Sequence, residues 1–108
     1  MIYTVEEIRR RVSPVAKKYS LRAVYLFGSY ARNEATEDSD VDILIDKTGS
    51  TVTGLFDMSN LYNDLTECID KDIDLITTHS LEQRDIKRFA PSFAKEVYEG
   101  RVLLYGKQ

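Results

Sequence analysis

Helical and strand-like patterns alternate along this chain, which predicts an α/β fold (α+β in type) with helices packed against a small mixed β-sheet. Three observations carry that expectation. Apolar residues recur at three- and four-residue spacing over residues 5–19 and 55–69. Short apolar and β-branched runs at residues 21–27, 41–45, 72–77 and 101–105 read as strands. The connection between the first two strands is short enough for antiparallel pairing, so the sheet is expected to be mixed.

Taken in order, Thr4 and Glu7 have the spacing of a capping box, in which each side chain satisfies an orphan N–H of the first turn. Val5, Ile8, Val12, Val15, Ala16 and Tyr19 then form an amphipathic helix. Pro14 is expected to kink or divide it, because proline supplies no N–H. The first strand ends at Gly28-Ser29. Tyr30-Ala31-Arg32 follows as a helical turn, and Asn33 is the residue able to end it in the left-handed conformation. After a polar loop and the second strand, Leu55, Phe56, Met58, Leu61, Tyr62, Leu65 and Ile69 make a broad apolar stripe that reads as core. Ser80 and Gln83 repeat the capping-box spacing and are expected to open a helix that ends or breaks near Pro91. A last helical stretch runs to Glu99, with Gly100 as its cap, before the final strand. Strand order does not follow from these patterns.

The length of 108 residues suits one domain spanning residues 1–108, enough for one core. A net charge of −3 gives no general attraction to phosphate backbones, and the cluster Arg9, Arg10, Arg11 reads as a solvated helix face, so direct nucleic-acid binding is not expected. Cys68 stands alone, without a disulfide partner or the spaced ligands of a zinc site, and reads as a buried free thiol in a reducing compartment. No apolar run approaches the roughly 20 residues that span a bilayer. The charged N-terminus does not resemble a signal peptide. A cytoplasmic protein without membrane contact is the expectation.

Chemistry concentrates in residues 26–45. Asp40 and Asp42, two apart at the start of a strand, share one face, while Val41 and Ile43 point to the other. Adjacent like charges raise each other's pKa unless something neutralises them, and carboxylate oxygens suit Mg²⁺. Asp74 offers a third carboxylate in the third strand, with Asp72 on the same face as the alternative third ligand. Were that strand beside the second, at the ~4.8 Å spacing of neighbours, the carboxylates would converge. They would then hold two metal ions roughly 3.5–4 Å apart for an in-line displacement at phosphorus. Gly28 lets the backbone approach a ligand closely, the N–H groups of the following turn favour an anion, and the Ser29 hydroxyl adds a donor. Arg32 either reaches a phosphate or pairs with Glu34 or Glu37. His79 reads as a structural histidine, and Tyr25, Tyr30 and Tyr62 as core rather than base-stacking residues.

Gly28-Ser29, ten intervening residues and then Asp40-Val41-Asp42 resembles the signature of the DNA polymerase β-like nucleotidyltransferase superfamily. The longer runs Leu26-Phe-Gly-Ser-Tyr-Ala-Arg and Ser39-Asp-Val-Asp-Ile are similar to the minimal nucleotidyltransferases, the antitoxins of HEPN/MNT toxin–antitoxin pairs. Asn33 departs from that pattern, where Gly is common. The resemblance implies the nucleotidyltransferase fold. It implies that Asp40 and Asp42, with Asp74, are the catalytic Mg²⁺ ligands, and that Gly28 and Ser29 hold the triphosphate. It also implies transfer of AMP from ATP to a tyrosine of a HEPN-family toxin, in a hetero-oligomer of the type VII-like toxin–antitoxin kind. Two other readings stand beside it. One is a non-catalytic antitoxin that neutralises its partner by occlusion. The other is a small-molecule nucleotidyltransferase similar to the aminoglycoside-modifying enzymes, which carry an added helical domain; 108 residues leave no length for one unless another subunit supplies it.

Overall fold

The computed structural model describes residues 2–83, 88 and 90–106. Its elements run α1 (Val5–Lys18), β1 (Ala23–Phe27), α2 (Gly28–Ala31), β2 (Val41–Asp46), α3 (Leu55–Ile69), β3 (Ile73–Thr77), α4 (Thr78–Leu81), α5 (Pro91–Gly100) and β4 (Val102–Gly106). The four strands form one mixed sheet in the order β3-β2-β1-β4. β1 pairs antiparallel with both β2 and β4, and β2 pairs parallel with β3. A parallel pair needs a long crossover, and α3 supplies it.

Strand alternation sends side chains to two cores. Val24, Leu26, Val41, Ile43, Ile45 and Leu104 pack under α1 and α3 together with Ile8, Val12, Leu61, Leu65 and Ile69. Ala23, Tyr25, Phe27 and Leu44 face the opposite way, against Leu81 of α4 and Ala94 and Val97 of α5. The central strand β2 is therefore covered on both faces, and its Val41, Ile43, Leu44 and Ile45 are fully buried.

Several local expectations need correction. α1 carries the expected capping box at Thr4 and Glu7, and it continues through Pro14 rather than dividing there. Pro14 lies on the exposed side of α1, while Ile8, Val12, Val15 and Ala16 anchor the opposite side. In α3 only Leu61, Leu65 and Ile69 are buried. Leu55 and Phe56 are 88% and 87% exposed, and Tyr62 is also exposed, so the inward stripe is narrower than the apolar pattern. The cap after β3 is Thr77, whose Oγ1 accepts from the Ser80 N–H at 3.0 Å and donates to Ser80 Oγ at 2.9 Å. The helix it opens is the short α4. Most of the segment between Gln83 and Pro91, where a longer helix was expected, lies outside the described residues. Pro91 opens α5, as suits a residue with no N–H to leave unpaired; whether a preceding helix ends before it lies outside the described residues. Asn33 adopts the left-handed conformation (φ 60).

Candidate active site

The site forms where β1 ends and β2 and β3 begin. Asp42 stands opposite Phe27 across the antiparallel pair and opposite Asp74 across the parallel one. Both carboxylates occupy strand positions that point away from the α1–α3 layer, toward α5. The strand order thus brings Asp42 and Asp74 together. Asp40 sits just before β2, exposed, and Asp72 just before β3, also exposed, with its carbonyl accepting from the Val41 N–H at 3.0 Å.

Gly28 completes the arrangement by what it lacks. Its φ is +72, a region that L side chains avoid, and a Cβ there would overlap Asp42 Oδ2 and lie 2.8 Å from Asp42 Cγ. The glycine that begins α2 is thus in contact with the carboxylate fourteen residues later in the chain. The sequence reading assigned Gly28 to ligand approach. Within the protein itself, the space a side chain would fill is taken by Asp42.

The electrostatics follow from that crowding. The Asp42 carboxyl is pushed up to about 6, first by burial, then by hydrogen bonding to Asp74 and by the charges of Asp74 and Asp40, with Arg32 acting in the opposite sense. Among the described residues no three His, Cys, Asp or Glu side chains are already gathered as a metal cluster. The donor chemistry nevertheless fits a hard divalent cation. A half-buried carboxylate facing a second one is relieved of both desolvation and repulsion by a cation with oxygen ligands.

A cavity of about 400 Å³ opens beside the carboxylates; its lining combines the polar Gly28, Arg32, Asp42, Asp74 and Glu96 with the apolar Phe27, Leu75, Ile76, Phe93 and Val97. Arg32 lines it and pairs with Glu34 (Nε to Oε2, 3.0 Å), the structural pairing weighed for it. Ser29 adjoins Gly28 but does not line the cavity. Tyr25 and Tyr30 are buried, as expected of core residues; Tyr62 and His79 are exposed and away from the cavity. The α5 residues Phe93, Glu96 and Val97 were missed in the sequence. Their helical spacing was legible, but nothing local placed that helix over the carboxylate end of the sheet.

Compared with known proteins, residues 10–108 match the family described as Polymerase beta, Nucleotidyltransferase. The chain belongs to that nucleotidyltransferase family. A protein of Methanocaldococcus jannaschii, named as a candidate protein adenylyltransferase, is 36% identical over 77 residues, covering 71% of this chain and 81% of its own. The protein adenylyltransferase MntA of Thermococcus cleftensis is 47% identical over 47 residues, 40% of this chain and 48% of its own. A solved complex of the tri-AMPylated HEPN toxin of Shewanella oneidensis with its MNT antitoxin contains a chain of the same fold. The match has a TM-score of 0.65 at 20% identity and covers 97% of this chain and 75% of that one. This nucleotidyltransferase thus places Asp42, Asp74 and Gly28 at the mouth of one cavity, and it is an enzyme of the nucleotidyl-transferring kind. Among the described residues no helix is long and apolar enough to cross a membrane.

Proposed function

We propose that this nucleotidyltransferase moves AMP from ATP to a protein hydroxyl, a tyrosine of a HEPN-family toxin, and so acts as the antitoxin of its pair in the cytoplasm. The observation that carries the reading is the register of Asp42 with Asp74 beside Gly28, in the lining of a cavity large enough for a nucleotide. The M. jannaschii and T. cleftensis relatives are named for protein adenylyl transfer, and the S. oneidensis complex pairs an MNT antitoxin with an AMPylated HEPN toxin. Those names support the acceptor class.

In this mechanism Asp40, Asp42 and Asp74 hold Mg²⁺, two ions in the reading favoured here. When bound, Mg²⁺ offsets triphosphate charge and lowers the pKa of the acceptor hydroxyl. The backbone at Gly28 and the Ser29 hydroxyl hold the triphosphate, and Arg32 adds positive charge beside it. The acceptor oxygen forms a bond to the α-phosphorus as the bond to the β-phosphate oxygen breaks, and pyrophosphate leaves. Asp74, the more exposed member of the facing pair, accepts the hydroxyl proton.

The test is transfer of α-³²P from each nucleoside triphosphate, with Mg²⁺, to a co-purified partner. Label from ATP that disappears in Asp40→Asn supports the mechanism. Full labelling by Asp40→Asn would refute it. A partner that is neutralised but never labelled would instead favour occlusion.

A further inference from the structure

The lining of the cavity is chemically mixed. Beside the carboxylates, Gly28 and Arg32 it carries an apolar set, Phe27, Leu75, Ile76, Phe93 and Val97, with Glu96 as the charged side chain contributed by α5. Metal and triphosphate satisfy only the polar part of that lining. An apolar wall carrying one acceptor is suited to a flat, largely apolar ligand with a donor on its rim.

Phe93 is 41% exposed, and its ring meets Phe27 edge-to-face with centroids 6.4 Å apart and planes at 82°. That contact fixes the ring while leaving part of its surface at the cavity. Val97, one turn on, is buried and anchors α5 to the sheet. Glu96 lies three residues from Phe93 on the same side of α5, and among the described residues it makes no ion pair or hydrogen bond. A carboxylate only accepts hydrogen bonds. It therefore favours a base edge bearing an amino group and disfavours one presenting a carbonyl in the same place. A triphosphate repels an acidic side chain, which leaves the donors of the nucleoside, the ribose hydroxyls and a base amino group, and of these only the amino group can discriminate between bases.

We propose that the first two turns of α5 form the nucleobase platform of this enzyme, with Phe93 stacking on a purine and Glu96 selecting one that carries an exocyclic amino group. The inference rests on the nucleotide-site reading given above. It makes Glu96 a specificity-determining residue and places base choice on an element remote in sequence from the Gly28–Asp42 motif.

Calorimetric titration of the full chain with ATP, purine riboside triphosphate, UTP and tripolyphosphate, each with Mg²⁺, tests it. Wild-type protein should bind ATP about 10-fold or more tighter than purine riboside triphosphate, which lacks only the amino group. Glu96→Ala should erase that difference. Phe93→Ala should weaken ATP and purine riboside triphosphate alike by about 10-fold or more, the loss of one stacking partner. Tripolyphosphate should bind both variants as it binds wild type. Both side chains are exposed, and circular dichroism verifies that the variants fold. If ATP binds both variants as tightly as wild type, the platform is overturned while the nucleotide site stands. If the variants lose only partner labelling at saturating ATP, the apolar part of the lining takes the acceptor and the platform is overturned. If neither ATP nor tripolyphosphate binds wild type, the nucleotide-site reading fails and takes this inference with it.

Discussion

Gly28 and Asp42 are in contact in a way that neither residue would allow if changed: the carboxylate occupies the space where any other residue at 28 would carry its Cβ. Strand β1 ends and turns sharply at Gly28, and β2 runs antiparallel beside it, so Phe27 and Asp42 are directly opposed. The turn and the acidic strand are thus one steric unit, and several consequences can be measured.

Gly28→Ala should cost stability and activity unequally. The positive φ alone costs an alanine about 1–2 kcal/mol, and the methyl group must also displace Asp42 from its place opposite Asp74. Urea unfolding should show a loss of that order. Nucleotidyl transfer should fall by about a hundredfold, since misplacement by about 1 Å at a reacting centre has effects of that order. A variant with near-normal turnover would mean that the contact has no part in the chemistry.

The Asp42 carboxyl gives metal-free protein a defined pH dependence. Its folded pKa of about 6 is above the ordinary value of 3.8, so between the two the folded state binds more protons than the unfolded one, and stability falls as pH rises. The contribution is fully present below the ordinary value and is lost as pH passes through about 6. Because the group is half exposed, solvent screening reduces the effect to about 1 kcal/mol. Asp57 and Asp64 work in the opposite sense. Thr53 holds the first below the usual carboxylate range, and Lys18 with Tyr19 holds the second, so their contributions fade as pH falls. The comparison with Asp42→Asn isolates the Asp42 share. In the presence of a chelator, Asp42→Asn should be the more stable protein at pH 7.5 and should lose that advantage near pH 4.5.

Adding Mg²⁺ should change the ranking. A cation that binds the folded state stabilises it by mass action, so wild-type Tm at pH 7.5 should climb with Mg²⁺ concentration while that of Asp42→Asn stays nearly flat. Transfer activity should be lost in the variant under both conditions. Equal Mg²⁺ responses in the two proteins would place the metal elsewhere.

Within α3, stability should follow exposure rather than residue type. Leu65→Ala empties a fully buried position and should cost about 2–5 kcal/mol. Leu55→Ser, at a residue 88% exposed, should stay within about 0.5 kcal/mol of wild type. Chemical denaturation of the two variants checks both values.

Loss of the Thr77 hydroxyl should destabilise by about 1 kcal/mol, the usual cost of removing a helix cap. Its Oγ1 satisfies the Ser80 N–H at the start of α4. Ser80→Ala keeps that N–H bond and should cost less, and thermal unfolding of the pair separates the two hydroxyls.

By itself the sequence determined what depends on neighbours along the chain. The Thr4–Glu7 box, the helical spacing of Ile8, Val12 and Val15, the alternation that turns Asp42 away from Val41 and Ile43, and the left-handed Asn33 are local matters of period and backbone sterics. They exposed the acidic strand and the Gly-Ser turn as a nucleotidyltransferase motif. Tertiary structure decided what depends on which surfaces meet. It put β3 beside β2, so that Asp74 rather than Asp72 stands opposite Asp42. It set Asp42 against Gly28, carried α1 on through Pro14, and left Leu55 and Phe56 in solvent despite their apolar character. It also laid α5 across the cavity, bringing in Phe93 and Glu96 from a segment with no motif of its own. The division has one physical cause: repeat and backbone conformation are encoded within a few residues, whereas burial and charge proximity are set by packing between elements distant in the chain.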